Sequence, residues 1–339
     1  MKAALLKSFG MPLELSEIPD PVPGLDEVVV KMRTSGVCHS DLHNIDGDWS
    51  VVPELPIVPG HEGIGIIDEA GKDVTGVAPG DRVAVWFYNS TCRTCDYCLS
   101  GKENYCEQRV MTGFSVNGTF AEYTKLAGDF AIKIPHELND IEAAPLTDAG
   151  LTAWRAVKTA QIRAGDRVAV FGVGGVGHLV MQFAKLSGAE VFAVDVGEDK
   201  LRMAEELGAD KDFDASNASV GSTIRYEYGG AKSAICCAPS LKAYEQAMFS
   251  LRPTGTLVAF GLPAGNVELP VLNTVFWGIS VVGSFIGGRE DLKEALAFAA
   301  RGRVKSLYQT YRLDQVNEAV SKLKTGSVKG RPVMLIGER

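Results

Sequence analysis

Four cysteines lie within fifteen residues of this chain, and few kinds of structural site contain cysteines so close together. They follow the spacing C-x2-C-x2-C-x7-C and comprise Cys92, Cys95, Cys98 and Cys106. A short loop can bring four thiolates to the corners of a tetrahedron around Zn²⁺, and a complete thiolate shell leaves no position for water or substrate. The spacing therefore predicts a structural zinc. A disulfide pair and an iron–sulfur cluster remain as alternatives, although disulfides need an oxidising compartment and ferredoxin-type clusters use other spacings.

Length and composition predict a soluble chain of about two domains. The 339 residues are enough for two sizeable cores. The net charge is −8 and no basic run is present, so nucleic acid is not an expected partner. The first ten residues, MKAALLKSFG, lack the apolar region of a secretory signal, and no uncharged apolar run reaches the roughly 18 residues that a membrane span needs. With an odd total of seven cysteines, these features predict a cytoplasmic location and no membrane partner.

The pattern of secondary structure changes near residue 150. Before it, short β-branched runs bounded by Gly, Pro or Asp predict strands, among them Glu27–Met32, Gly63–Asp68 and Asp81–Trp86. After Leu151, strands alternate with helical stretches, which predicts a doubly wound parallel sheet. The candidate strands there are Val168–Phe171, Glu190–Val194, Ser233–Cys237, Thr256–Phe260 and Ser280–Gly283, and the candidate helices include His178–Ser187 and Lys200–Leu207.

A glycine turn follows the first of these strands, with the G-x-G-x-x-G glycines at Gly172, Gly174 and Gly177. Such glycines let the backbone approach a pyrophosphate at a helix N-terminus, where amide donors and the helix dipole favour anions. Asp195 ends the next strand 18 residues after Gly177. Its carboxylate suits both adenosine ribose hydroxyls and repels a 2′-phosphate, so the unit predicts NAD in preference to NADP. The alternative is a glycine turn that serves only close packing.

A second candidate metal site lies upstream in two pieces. They are Cys38-His39-Ser40-Asp41-Leu42-His43 and Gly60-His61-Glu62-Gly63. Each piece alone is ordinary, because a lone Cys or His is more often buried packing than a ligand. Beside a dinucleotide fold and a separate structural zinc, they suggest a site with three protein ligands and one open position, as in catalytic zinc.

These motifs together resemble one family, the zinc-containing medium-chain alcohol dehydrogenases, and in particular its short prokaryotic and yeast-like branch. The resemblance covers essentially the whole chain. It includes the G-H-E-G motif at 60–63, the four-cysteine segment, the glycine turn and the C-terminal Lys329-Gly330-Arg331. Only the combination is specific. It implies two Zn²⁺ per subunit and NAD.

The resemblance implies that Cys38 and His61 bind the catalytic zinc. The family's third ligand is usually a cysteine in a segment like A-P-x-x-C-A-G, and here that segment reads Ala-Pro-Leu-Thr-Asp-Ala-Gly with Asp148 in the ligand position. A carboxylate is also an anionic zinc ligand, so Asp148 preserves the charge of the shell. The alternative is that Asp148 merely caps the helix that follows.

Other roles are likewise implied by the family. Glu62 resembles a glutamate beside the metal, and Asp41 a carboxylate that orients the histidine ligand. The alternative for both is an ordinary solvated acid. Ser40 and His43 match a relay that carries the alcohol proton to solvent. Thr152 corresponds to a residue beside the nicotinamide. His39 and Arg331 resemble cations that contact the pyrophosphate of the cofactor, and Lys200 resembles one beside its adenosine ribose. A substrate pocket lined by large aromatic side chains is expected at Trp49, Trp86, Tyr88 and Phe285, which could equally belong to the core.

The implied architecture is a GroES-like, partly open β-barrel formed by residues 1–150 and 288–339, with an inserted Rossmann domain at 151–287. The implied activity is reversible hydride transfer between a primary, secondary or aryl alcohol and NAD, in a homotetramer. An aldehyde or ketone reductase or a polyol dehydrogenase of the same superfamily is the closest alternative. A zinc-free quinone or enoyl reductase is disfavoured by His61, Glu62 and the four cysteines. A non-catalytic role on the same scaffold is the remaining competitor.

Overall fold

A computed structural model describes residues 1–49 and 51–337 of the chain. It divides into two compact units. One comprises Met1–Ala149 together with the chain from Gly288 onward, and the other comprises Gly150–Gly287. The predicted boundaries at 150/151 and 287/288 lie within one residue of these. Positions 338 and 339 of the predicted first domain lie outside the described residues.

The strands, in chain order, are β1 (Lys2–Leu5), β2 (Glu14–Glu17), β3 (Glu27–Gly36), β4 (Gly63–Ala70), β5 (Arg82–Val85), β6 (Tyr88–Ser90), β7 (Val110–Met111), β8 (Tyr123–Ala127), β9 (Ile132–Lys133), β10 (Arg167–Phe171), β11 (Glu190–Asp195), β12 (Lys211–Asp214), β13 (Ala231–Cys236), β14 (Leu251–Ala259), β15 (Ser280–Gly283), β16 (Tyr308–Arg312) and β17 (Arg331–Leu335).

The helices are α1 (His39–Asp46), α2 (Asp96–Leu99), α3 (Asp140–Ala143), α4 (Ala149–Thr159), α5 (Gly177–Leu186), α6 (Glu198–Glu206), α7 (Val220–Glu227), α8 (Leu241–Phe249), α9 (Val271–Trp277), α10 (Arg289–Ala300) and α11 (Val316–Lys324). Short 3₁₀ turns occur at Glu103–Tyr105, Gly128–Phe130, Ala144–Thr147 and Leu313–Gln315. Among the described residues, no helix is both long and apolar enough to cross a membrane.

The second unit confirms the predicted doubly wound parallel sheet. Its six strands lie in the order β12-β11-β10-β13-β14-β15, and every neighbouring pair is parallel. β10 and β11 are almost continuously buried, as expected of strands covered on both faces. Strand β12, with the sequence KDFD, was not predicted, because one apolar residue among charged ones carries no strand signal. The strand order reverses beside β10, where the glycine turn lies.

The first unit is organised around β3, which pairs with three other strands. β4 runs antiparallel along most of it, β8 pairs with its first half, and β17 pairs with its last residues, including Val333 opposite Gly36. Beyond these, β5 and β9 extend the sheet past β4, and β16 extends it past β17. The end of β3 and the beginnings of β4 and β17 therefore meet, which brings together three segments that are far apart in the sequence.

Candidate metal centres and cofactor turn

Cys38 follows the end of β3 and immediately precedes helix α1. Its backbone N–H donates to Oδ2 of Asp41, in the first turn of that helix, at 2.8 Å. The helix ends at Gly47, whose φ of 67° suits the left-handed terminating position. Cys38 itself is buried, with 8 % of the residue exposed.

His61 lies two residues before the start of β4, and one of its ring nitrogens is held in place. Nδ1 lies 3.2 Å from Oδ1 of Asp41, and the side chain is 2 % exposed. The other nitrogen, Nε2, is buried and makes no hydrogen bond among the described residues. Burial lowers the pKa of His61, but the charge of Asp41 and the approach of Asp148 outweigh it and raise the pKa well above the usual value. The anionic surroundings therefore favour a cation at this position, either a proton on the ring or a metal ion bound to its free nitrogen.

Asp148 lies between the Ala144–Thr147 turn and α4, and its Oδ2 is 3.7 Å from Nε2 of His61. Burial raises the pKa of this carboxyl, but the nearby His61 ring and the charge of Arg331 overcome that effect and hold the pKa at about 2. The hydrogen bond of its side chain goes to Arg331, and not to a backbone N–H of α4. The helix-cap alternative therefore finds no support in the described residues.

The three side chains Cys38, His61 and Asp148 converge. Their ligand atoms all lie within 4.8 Å of one another, and all three residues are buried. Within the described residues Nε2 of His61 has no hydrogen-bond partner, so it is available as a ligand. An imidazole, a thiolate and a carboxylate, all ligands that Zn²⁺ prefers, then surround a common point. The donor set therefore fits a zinc ion with three protein ligands.

Arg331, the first residue of β17, occupies a place that sequence reasoning did not foresee. Its Nε lies 3.1 and 2.8 Å from the two carboxylate oxygens of Glu62, and its Nη2 lies 2.8 Å from Oδ2 of Asp148. Burial raises the pKa of Glu62 to about 8, against the opposing charge of Arg331. No local pattern signals these pairs, since Arg331 and Glu62 are 269 residues apart. The implied cofactor contact of Arg331 stays a prediction.

The predicted relay residues lie on α1. Oγ of Ser40 is 3.7 Å from Sγ of Cys38, so the hydroxyl adjoins the candidate metal position. Nδ1 of His43 lies 2.9 and 3.1 Å from the two oxygens of Asp48, which the sequence did not single out. The His43 ring stacks on Trp49 with centroids 4.8 Å apart. His39, the first residue of α1, is exposed.

The four-cysteine segment forms a second cluster, with all four sulfurs within 4.8 Å of one another. Cys98 Sγ lies 3.8 Å from that of Cys92 and 3.6 Å from that of Cys95. Four sulfurs bound tetrahedrally at a Zn–S distance of about 2.3 Å are about 3.8 Å apart, whereas a disulfide bond is about 2.05 Å long. Backbone N–H groups of Thr94 and Cys95 lower the pKa of Cys92 to about 6. The cluster fits a closed zinc site and not a disulfide pair.

The glycine turn joins β10 to α5 in the second unit. Gly172 has a φ of +95°, and a Cβ at Gly177 would lie 1.8 Å from the Gly172 carbonyl oxygen, so both positions require glycine. A Cβ at Gly174 would meet no atom within 4 Å, so protein packing does not explain that glycine. Close approach of the turn's backbone to a bound pyrophosphate does explain it, and the turn therefore fits a dinucleotide.

Asp195 ends β11 beside this turn. Its carboxylate accepts hydrogen bonds from the backbone N–H groups of Val173 and Val196, and Nζ of Lys200 lies 3.3 Å from Oδ1. The residue is 7 % exposed. Thr152, on α4 of the same unit, is half-buried.

The predicted substrate pocket needs a correction. Trp86 and Tyr88 are both 0 % exposed, and the Trp86 indole N–H donates to the Phe130 carbonyl at 2.8 Å, so both are core residues and not pocket walls. Phe87, between them, lies edge-on against the His61 ring at a centroid distance of 5.3 Å. Side chains alternate in direction along extended chain, which could have singled out Phe87. Trp49 and Phe285 are half-buried.

Comparisons with known proteins agree with this geometry. Residues 24–136 match the family described as alcohol dehydrogenase GroES-like domain, and residues 175–301 the one described as zinc-binding dehydrogenase. An alcohol dehydrogenase of Geobacillus stearothermophilus is 42 % identical over 337 residues, which cover 99 % of this chain and 100 % of that protein.

Solved structures show the same likeness. The alcohol dehydrogenase of the archaeon Aeropyrum pernix has a TM-score of 0.92 at 34 % identity, over 99 % of this chain and 100 % of that one. A structure described as an NAD-dependent alcohol dehydrogenase also has a TM-score of 0.92, at 31 % identity and with the same coverage.

The chain is therefore an NAD-dependent oxidoreductase built from a GroES-like and a Rossmann unit. It belongs to the zinc-containing alcohol dehydrogenase family, with zinc and NAD as its cofactors.

Proposed function

We propose that this chain catalyses reversible hydride transfer between an alcohol and NAD, in preference to NADP, giving an aldehyde or a ketone. The observation that carries the proposal is the convergence of Cys38, His61 and Asp148, with the buried Nε2 of His61 left without a hydrogen-bond partner in the described part of the chain. Zinc at these residues would supply a Lewis acid for the substrate oxygen, and NAD would supply the hydride acceptor.

The chain's own residues then orient the site and move the proton. Asp41 holds Nδ1 of His61, so that Nε2 presents its lone pair toward Cys38 and Asp148. The substrate loses hydride from carbon and a proton from its hydroxyl. Ser40, beside Cys38, accepts that proton as its own hydroxyl proton passes on toward His43, whose side chain is 24 % exposed and which releases it to water. Asp48 on Nδ1 of His43 leaves the other ring nitrogen as the acceptor.

Phe87 and Trp49 support a hydrophobic substrate. Phe87 lies against the His61 ring, and Trp49 stacks on His43, so apolar surface adjoins both ends of the proposed chemistry. Aliphatic or aryl alcohols suit such walls better than polyols, whose additional hydroxyls would need polar partners.

The experiment is an assay of NAD reduction with primary, secondary and aryl alcohols and a polyol, and of NADH oxidation with the matching carbonyl compounds. NAD and NADP are compared at equal concentration. Turnover with at least one apolar alcohol and a preference for NAD are expected. Turnover confined to the polyol would favour the polyol dehydrogenase alternative, and no turnover with a zinc-loaded protein would contradict the proposal.

We infer further that the subunits form a homotetramer, with one contact along β15. This strand ends the six-stranded sheet and all four of its residues are exposed. Beside it in sequence, α9 exposes Val271, Leu272, Val275 and Phe276 to between 64 % and 77 %. An unpaired sheet edge with a large apolar patch is typical of a surface that pairs with another chain.

Light scattering tests this inference. Wild type should have the mass of four subunits, and Phe276→Lys should dissociate into smaller species. Val22→Lys is the matched control, because Val22 is equally exposed, at 76 %, but lies in the other unit. A monomeric wild type would contradict the inference.

A further inference from the structure

Two carboxylate side chains and one guanidinium are buried side by side, next to Cys38 and His61. Glu62 is 0 % exposed, Arg331 2 % and Asp148 4 %. Charges this deeply buried are stable only when they are paired and hydrogen-bonded. One guanidinium holds both carboxylates, through Nε to Glu62 and through Nη2 to Asp148. This uses the forked donor geometry that only arginine provides.

The space that holds the Glu62 side chain depends on a glycine in β3. A Cβ on Gly36 would lie 2.5 Å from Cδ of Glu62, so the last residue of β3 must be glycine to admit the side chain. The Gly36 N–H also donates to the Glu62 carbonyl at 2.7 Å. Glu62 is therefore fixed by backbone and side chain together, and through Arg331 it fixes Asp148.

An aspartate at position 148 makes this link possible. A thiolate offers a single sulfur, whereas a carboxylate offers two oxygens with several lone pairs, enough for an arginine and a metal ion at once.

We propose that Arg331 is a positioning residue for the Asp148 ligand. By bonding Asp148 and Glu62 together, it holds Oδ2 of Asp148 toward Nε2 of His61 and keeps Glu62 directed away from the metal position. The proposal rests on the proposed metal site at Cys38, His61 and Asp148. It predicts that the contribution of Arg331 to metal binding depends on which side chain occupies position 148.

The test is a double-mutant cycle on metal affinity, with Arg331→Gln, Asp148→Cys and the double variant. Mild chelation empties the open site while the four-cysteine site keeps its zinc. Co²⁺ is then titrated without cofactor or substrate, and its visible absorption is followed. The dissociation constant comes from the titration, and the band intensity reports coordination number, since tetrahedral Co²⁺ absorbs more strongly than five-coordinate Co²⁺.

Arg331→Gln should weaken Co²⁺ binding by about ten-fold or more when Asp148 is present. The same substitution in the Asp148→Cys background should cause a loss of affinity that is several-fold smaller. The band should also lose intensity in Arg331→Gln alone, because a freed carboxylate can bind through both oxygens. Equal losses in the two backgrounds with an unchanged spectrum would overturn the proposal. Failure of wild type to bind Co²⁺ at this site would instead overturn the proposed metal site.

Two further variants test whether the effect depends on the forked guanidinium and on its position. Arg331→Lys keeps the charge but not the fork, so it should show an intermediate loss of affinity, and it replaces Arg331→Gln in the cycle should the latter not fold. Arg312→Gln is the matched control on the neighbouring strand β16, since its ion pair with Asp314 is exposed. It should bind Co²⁺ as wild type does, and a loss there equal to that of Arg331→Gln would also overturn the proposal.

Discussion

Nδ1 of His61 lies 3.2 Å from Oδ1 of Asp41, and neither side chain has more than 2 % of its surface exposed. The same carboxylate accepts hydrogen bonds from the backbone N–H groups of Cys38 and Gly60. One aspartate thus ties together the two chain segments that carry the first two candidate metal ligands. It also decides which nitrogen of His61 faces the third.

Removal of the charge of Asp41 should therefore weaken metal binding without removing a ligand. Asp41→Asn should lower zinc affinity at the open site by about 10- to 100-fold, the range found for partners of metal-bound histidines. Competition with a chelator measures the effect. Asp46→Asn on the same helix is the control, because Asp46 pairs with Lys324 at the surface. Equal affinities of Asp41→Asn and wild type would remove Asp41 from the site.

Loss of the unusual ligand should change the metal content. Wild type should hold two zinc ions per chain, and Asp148→Ala one, with almost no turnover. Asp148→Cys should retain both ions and activity, since it restores an anionic ligand. Metal analysis beside circular dichroism separates metal loss from unfolding. Two zinc ions and most of the rate in Asp148→Ala would show that the third ligand lies elsewhere.

The cofactor preference should depend on Asp195. Asp195→Gly removes the ribose partner and the repulsion of a 2′-phosphate, so NAD affinity should fall by about 1–3 kcal/mol and preference should shift toward NADP. The carboxylate also accepts from Val173 and Val196 within the turn. Asp195→Asn keeps an acceptor there, so it should retain more stability while it loses the repulsion. Unchanged binding of both cofactors would place Asp195 away from the ribose.

Proton release should be separable from hydride transfer. His43→Gln should slow alcohol oxidation by about ten-fold near pH 7, the loss expected for one general base, and less at higher pH, where hydroxide can replace the imidazole. Ser40→Ala should be slower still, because Ser40 adjoins Cys38. The measurement is the pH profile of kcat, with His136→Gln as control, since the His136 side chain is 94 % exposed. Superimposable profiles for all variants would exclude both residues from the mechanism.

Two adjacent aromatic residues should respond differently to truncation. Trp86→Ala should lower stability by about 3–5 kcal/mol, because Trp86 is a core residue bonded to the Phe130 carbonyl. Phe87→Ala should open space beside His61, so kcat/KM should rise for bulky alcohols relative to small ones. Thermal unfolding and a two-substrate assay measure these effects. A change in substrate preference in Trp86→Ala alone would reverse the assignment.

The sequence alone determined the features that depend on local order. Alternation of strands, glycine turn and helices predicted the parallel sheet, because each element carries its own periodicity and its own turn residues. The four cysteines were also found in the sequence, because ligands close in sequence stay close in space and their residue type limits the chemistry. Cys38, His61 and Asp148 lie in three separate segments, and resemblance to the family indicated them as one set.

Only the tertiary structure decided which distant groups meet. The β17 strand pairs with β3 and brings Arg331 to Glu62, across 269 residues of chain, and nothing local to either residue encodes that contact. The direction of three consecutive aromatic side chains, 86 to 88, likewise depended on which face of the chain met the core. Pairing between remote strands is set by the packing of the whole unit, so ion pairs and pocket walls built on it appear only in the folded chain.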